Sequence, residues 1–572
     1  MSQQIIKLLR STADEQFETT SRLLKQMSEE QLTVLFIEVC RAFDFWMVQN
    51  TFGGERAIKL SEPELNILTR GWNSFLEIVL PRIGSINGVP LLESTGGSIR
   101  AATAELHKLG TPILLNRAAD MLELGVLSAK QSGEKLTVWM ENSGDGDLFL
   151  DQLEDEMLDN VDNLMRPTSP QINAEALTPT ELQAELDAAV FPWRTGRGTM
   201  VGYNSTPAMD EHFIAISMPI LTKLRDKAGF HPDARINGVR ASDLTAIVAL
   251  LMSAKLKHIH LVSSGRKQWP EVNTYMSLSI WKPKNEIIDD MSEFTGMDRI
   301  LVAIIIDMLT LTDKSKPDLS SDVDPVIPFF IKFTDNYLIE PTSAVFINPF
   351  DTVKRLQNKP ENQTSLRMQR EDWMRSDLNA LFQGTRYKRL ETRAKLKLNG
   401  KILTDIDGAI LDTITNELCL FQFKWQDYTG ATMKQITSRA KNFVSEIQDW
   451  EHKILKYLSE KGTDMLLRSL RFSKVASNEE IKVKLVAVGR AASRFSDLGY
   501  SNKTETVATC TWSQFIRLRA QIGPAENVIT ELHSQIRNET TGKVKLLPIP
   551  YEIKMKDICI LFENLWNTRE LY

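Results

Sequence analysis

The chain has 572 residues, 42% of them hydrophobic and 25% charged, ordinary values for a globular protein and enough for several domains. The formal net charge of −6 is unevenly spread: residues 1–350 carry 32 Lys and Arg against 47 Asp and Glu, and residues 351–572 carry 36 against 27. Four isolated cysteines (Cys40, Cys419, Cys510, Cys559) without a C-x-x-C argue against a zinc site or a disulfide framework. The N-terminus lacks a signal-like apolar stretch, and the longest apolar runs, Ala246–Met252 and Ile300–Ile306, are too short for a bilayer. The expectation is a reduced, cytoplasmic protein without membrane contact.

The first 140 residues read as helical and then change character. Ile5, Leu8 and Leu9 open one helix. Leu32, Leu35, Phe36, Val39 and Phe43 recur at helical spacing in a second, behind Ser28 as N-cap, and Trp46, Phe52 and Trp72 read as core. From residue 96 the order is a short helix Ser98–Lys108, a turn at Leu109-Gly110, Thr111 and Pro112 as N-cap and first helical residue, and a helix Ile113–Leu124 ended by Gly125. Two strands follow, Val126–Ala129 and Leu136–Met140. That order resembles a winged helix at 96–140. Its second helix is poor in cations, with Arg117 opposed by Asp120 and Glu123, which weakens a DNA-reading role.

A boundary is expected after residue 140, at ENSGDGD, the acidic run Asp151–Asp162 and RPTSPQ, because charge runs and Pro/Ser clusters mark exposed connections. Gly196, Gly198 and Gly202 are too loosely spaced for a phosphate loop, and no G-x-x-x-x-G-K-[ST] occurs. In KHIHLV, read as a strand, His258 and His260 share a face, but no third ligand accompanies them, so an ordinary strand face is the better reading. Asp289–Leu311 reads as a helix pair broken at Thr295-Gly296, and Phe329–Phe346 as two short strands around Thr334-Asp335-Asn336.

The C-terminal part carries the chemistry. A helix Arg370–Phe382 is ended by Gly384, and a basic strand Tyr387–Leu398 closes at the hairpin turn Asn399-Gly400. A strand Thr404–Leu411 follows, with Asp405 and Asp407 on one face. After the polar turn Asp412–Asn416 comes Leu418–Trp425, apolar on both faces and so expected at the centre of a sheet, with Gln422 and Lys424 sharing a face near its end. A lysine in a buried strand calls for a specific partner. A long helix Met433–Leu458 and a strand Ile481–Val488 complete an α-β-β-β-α-β order.

Asp-x-Asp, the fourteen residues Gly408–Phe421, and then Gln-x-Lys at a strand end resemble the PD-(D/E)xK nuclease superfamily, closest to its Mrr-like Gln-x-Lys variant. The resemblance covers about the last two hundred residues, and the element order matches that family's core. It implies a Mg²⁺- or Mn²⁺-dependent endonuclease, with DNA favoured as substrate and defence against foreign DNA as the setting. It also implies Asp407, Gln422 and Lys424 as catalytic residues and Asp407, Gln422 and the Phe423 carbonyl as metal ligands. Mg²⁺ takes such oxygen ligands, and Lys424 would position or deprotonate the attacking water. Asp405, Glu371 on the preceding helix, and Gln435 and Arg439 on the following one are supporting candidates. Gln422 stands where the family commonly has an acid, which removes a charge from the site.

The expected architecture is multidomain. A helical N-terminal domain with the winged helix spans 1–165, a mixed, mainly helical middle domain 166–350, and a restriction-endonuclease-like α/β domain 351–572. The basic balance of residues 351–572 suits a polyanion there, and the acidic half suits a protein partner or self-association. The competing reading is a non-catalytic nucleic-acid- or protein-binding assembly protein on a degenerate nuclease fold.

Overall fold

The computed structural model describes residues 2–53, 57–84, 92–140, 177–314, 319, 325–359, 361, 362, 364, 366, 370–425, 432–472, 481–501, 504, 506–523, 526–539, 546–555 and 558–569. Of the expected linker 141–187, residues 141–176 lie outside the described residues, and its end is not a linker but the start of a capped helix, Pro179–Ala189. The chain forms two compact units, Met1–Glu123 with Pro170–Leu366, and Leu124–Ser169 with Arg367–Tyr572. Three domains were expected. The boundary near 165 separates no two cores, because one apolar cluster runs from Leu24 and Phe36 through Trp72 and Leu106 to Leu244, Phe330 and Leu366.

The first unit is built on α1 (Ser2–Gln26), α2 (Glu29–Phe52), α3 (Glu62–Val79), α4 (Gly96–Glu123) and α5 (Ala241–Gln268). Ser28 caps α2 in a capping box with Gln31, as its sequence position implies. Trp72 is fully buried, whereas Phe52 at the end of α2 is 41% exposed.

The winged helix is not formed. Residues 96–123 are one helix, with Pro112 inside it. Leu109-Gly110 is a helix crossing and not a turn: a Cβ on Gly110 would stand 1.9 Å from the Ile67 carbonyl oxygen, and one on Gly71 1.8 Å from that of Leu106. The two glycines let α3 and α4 meet backbone to backbone. Thr111 bonds back to the His107 carbonyl at 2.8 Å instead of capping a new helix. Pro112 has no N–H for the Lys108 carbonyl, and the Gln16 amide of α1 donates to that oxygen at 2.9 Å. Only the hairpin Leu127–Ser132 with Lys135–Met140 matches the reading of this stretch.

KHIHLV is likewise helical, lying within α5, so His258 and His260 do not share a strand face. α5 is the one described helix long and apolar enough to cross a membrane, and 67% of its most apolar window is buried inside the protein. His258 is buried between the Tyr203 hydroxyl (3.0 Å) and the Ser277 carbonyl (2.7 Å), and burial lowers its pKa to about 4. It is a core histidine. The helix pair broken at Gly296, which takes a left-handed φ of 68°, and the two strands Phe330–Lys332 and Tyr337–Glu340 form as read.

In the second unit, α6 (Arg370–Leu381) precedes β1 (Tyr387–Arg389), β2 (Ala394–Leu398), β3 (Lys401–Ile406), β4 (Gly408–Asp412) and β5 (Glu417–Lys424). After them come α7 (Met433–Ser469), β6 (Lys482–Gly489), β7 (Val507–Thr511), α8 (Trp512–Ile522) and α9 (Val528–Asn538). The five-stranded mixed sheet has the order β1-β4-β5-β6-β7. Its first two pairings are antiparallel and its last two parallel. β5 is the central strand, buried over seven of its eight residues, as its two apolar faces imply. Among the described residues, five strands, not three, lie between α6 and α7. The stretches Tyr387–Leu398 and Thr404–Leu411 each break in two, and β2 and β3 pair off as a separate hairpin.

Candidate functional site

The break between β3 and β4 falls at Asp407, where the chain leaves the hairpin and joins the sheet. The last β4–β5 pair is Gly408 opposite Phe421. Beyond it the Asp407 side chain takes the place of a neighbouring strand: its Oδ2 accepts from the Phe423 N–H at 2.9 Å and from the Gln422 amide nitrogen. Gly408 leaves room for its neighbours here: a Cβ would stand 2.9 Å from the Leu378 side chain and 3.1 Å from the Phe423 ring, which would have to shift.

Asp407 is completely buried, and its Oδ1 accepts no hydrogen bond. Burial raises its pKa to about 6. The Phe423 N–H opposes that shift, the charges of Glu371 and Asp405 add to it, and Arg393 opposes it again. A buried carboxylate oxygen without a donor is costly.

Three carboxylates ring one guanidinium. Arg393, in the short connection between β1 and β2, reaches Glu371 of α6 through Nη1 at 3.2 Å, Asp405 of β3 through Nη2, and Asp407 Oδ1 through Nε at 3.4 Å. Burial works against the Arg393 charge, but Glu371, Asp405 and Asp407 outweigh it and hold its pKa above the ordinary value. Asp405 is further fixed by its own carbonyl, which accepts from the Trp450 indole of α7 at 3.2 Å.

Beside this cluster lies a cleft of about 620 Å³ lined by Arg370, Glu371, Lys424, Arg439, Asn442 and Glu446, among others. Lys424 makes its ion pair with Glu446 at 2.6 Å, not with Asp407. Trp425, on the same cleft, stacks on Trp373 with ring centroids 6.2 Å apart, and the Arg370 guanidinium lies 4.7 Å from its ring.

Of the residues singled out by sequence, the fold joins Asp407 to Gln422 and to the backbone of Phe423, and gathers Glu371, Asp405 and Asp407 around Arg393. Lys424 and Arg439 line the adjoining cleft. Gln435 instead closes the capping box of α7, its amide oxygen accepting from the Thr432 N–H at 3.0 Å. Arg393 and Glu446 were missed. Arg393 lies between two strands read as one, and Glu446 is one of several exposed acids on a long helix.

The donor set fits a hard divalent cation. Asp407 Oδ1 is an orphaned carboxylate oxygen, Glu371 and Asp405 are close by, and Gln422 can offer its amide oxygen. Among the described residues no three His, Cys, Asp or Glu side chains already stand together as a metal cage. Compared with family models, curated proteins and solved structures, the chain matches none.

Proposed function

We propose that the second unit is a metal-dependent nuclease, with DNA as the favoured substrate. The observation that carries this reading is the buried Asp407. Its Oδ1 accepts no hydrogen bond and meets only the Arg393 guanidinium, its Oδ2 is tied to Gln422 and Phe423 at the end of the central strand, and further acids and a cationic cleft adjoin it. A buried carboxylate oxygen whose one partner is a loose ion pair at 3.4 Å keeps a lone pair for a cation, and that supports the reading.

Asp407 and Gln422 would hold Mg²⁺ or Mn²⁺, with Glu371 and Asp405 as further oxygen donors. The bound cation supplies charge neutralisation at the phosphate and a lowered pKa for a bound water. The chain's own groups do the rest. Lys424, oriented by Glu446, steadies the phosphate and orients the attacking water. Arg439 and Arg370 give the cleft cationic walls for the neighbouring backbone.

The test uses the full chain on supercoiled DNA, linear DNA and RNA, with Mg²⁺ or Mn²⁺ and with EDTA. Asp407→Ala and Lys424→Ala should each lower cleavage by at least about 10³-fold with the fold intact by circular dichroism. Full cleavage by Asp407→Ala would remove the assignment. Because Arg393 already occupies the space among the acids and offsets part of their charge, a non-catalytic binding protein is the second reading. It is recognised by nucleic-acid binding without cleavage in any divalent cation.

A further inference from the structure

Arg393 stands where a cation would be expected. Its three guanidinium nitrogens face three different carboxylates, and one of these is the orphaned Oδ1 of Asp407, at 3.4 Å. The guanidinium fork presents its donors in one plane. Its only group at Asp407 Oδ1 fails to make a hydrogen bond, so the contact there is electrostatic and loose. The residue sits in a connection between two strands and not within a ladder, and its side chain is 42% exposed, so it has solvent to move into.

We propose that Arg393 is a displaceable internal counter-ion. It offsets part of the negative charge of Glu371, Asp405 and Asp407 and must swing off Asp407 before a divalent cation can bind. This rests on the metal-dependent reading of the site. A guanidinium and a divalent cation cannot share the same carboxylate oxygen at contact distance without strong repulsion. The acids alone would bind the cation more tightly, so Arg393 lowers resting metal affinity. The freed guanidinium is then available to the phosphate of a bound nucleic acid, which favours loading of the metal when substrate is present.

The experiment measures Mn²⁺ binding without substrate, by calorimetry and by the paramagnetic resonance signal of free Mn²⁺, counting only sites lost in Asp407→Asn. Arg393→Gln, neutral and of similar length, should bind Mn²⁺ about ten- to hundredfold more tightly than the parent. In the parent, phenylglyoxal modification of Arg393, mapped by mass spectrometry, should rise when Mn²⁺ saturates the site. That second readout decides the matter if Arg393→Gln does not fold. Equal or weaker Mn²⁺ binding by Arg393→Gln, or an Arg393 modification rate indifferent to Mn²⁺, overturns the proposal while leaving the site a metal site. No Mn²⁺ binding by either protein removes the metal reading itself, and the proposal falls with it.

Discussion

On the proposed reading, Asp407 couples the fold to the chemistry. Its folded pKa of about 6 lies above the value near 4 of an unfolded aspartate, so between those values the folded protein holds more protons. Stability from this group is fully present below about pH 4 and is lost as pH rises through 6. The upper limit is about 3 kcal/mol, from two pK units at 1.36 kcal/mol each. Asp407→Asn removes the titration and keeps an oxygen for the Phe423 N–H. Its melting temperature relative to the parent should therefore rise between pH 4.5 and pH 8, and a difference unchanged with pH would contradict the assigned shift. On the proposed reading the variant trades stability gained for activity lost, as expected where a buried charge is kept for function. This residue was legible in the sequence, because period-2 alternation and the Gln-x-Lys spacing put it at a strand end beside Gln422. Its partner Arg393 was not. No periodicity reports where a side chain between two strands will reach, and the cluster depends on α6, β3 and that connection meeting in space.

At the scale of elements, sequence patterns held where burial sets them and failed where tertiary contact overrode local turn chemistry. β5 announced itself through two apolar faces, and the αL glycine Gly296 marked a real helix end. By contrast, Gly110-Thr-Pro has every local mark of a helix boundary. It stays helical because Gly71 and Gly110 admit the facing backbone and Gln16 serves the carbonyl that Pro112 leaves without a donor. Gly110→Ala tests this. In an open helix interior the change would stabilise slightly by propensity. At this crossing the added methyl collides with the Ile67 carbonyl, so α3 and α4 must separate. The expected cost in denaturant unfolding is about 1–3 kcal/mol or more, the range for an overfilled core. A gain in stability would mean that the two helices do not cross there.

Across the whole molecule, the uneven charge becomes an argument about where a polyanion binds. Residues 351–572 carry 36 Lys and Arg against 27 Asp and Glu, but a net surplus matters only if cations are gathered and free to face solvent. The hairpin β2–β3 gathers some of them. Along β2, Ala394, Leu396 and Leu398 are buried while Lys395 and Lys397 are exposed, and Lys401 at the start of β3 is exposed as well. This hairpin leads directly into Asp405 and Asp407, so lysines on its outer face lie along the chain that enters the candidate site. On the proposed reading they contact phosphates flanking the reacting one, and such contacts release counter-ions. Each contact adds about −0.9 to the slope of log affinity against log salt on duplex DNA, and about six contacts cost about 10³ in affinity between about 50 and about 200 mM salt. The triple change Lys395→Ala, Lys397→Ala and Lys401→Ala should weaken binding of DNA of any sequence to about the same degree. It should also make the salt slope shallower by between one and about three units, measured by fluorescence anisotropy with Ca²⁺ in place of Mg²⁺. Because none of the three side chains packs in the core, the melting temperature should stay within about 1 °C of the parent. An unchanged slope would place the nucleic acid elsewhere on the chain, and a parent slope near zero would remove the polyanion reading of the basic half.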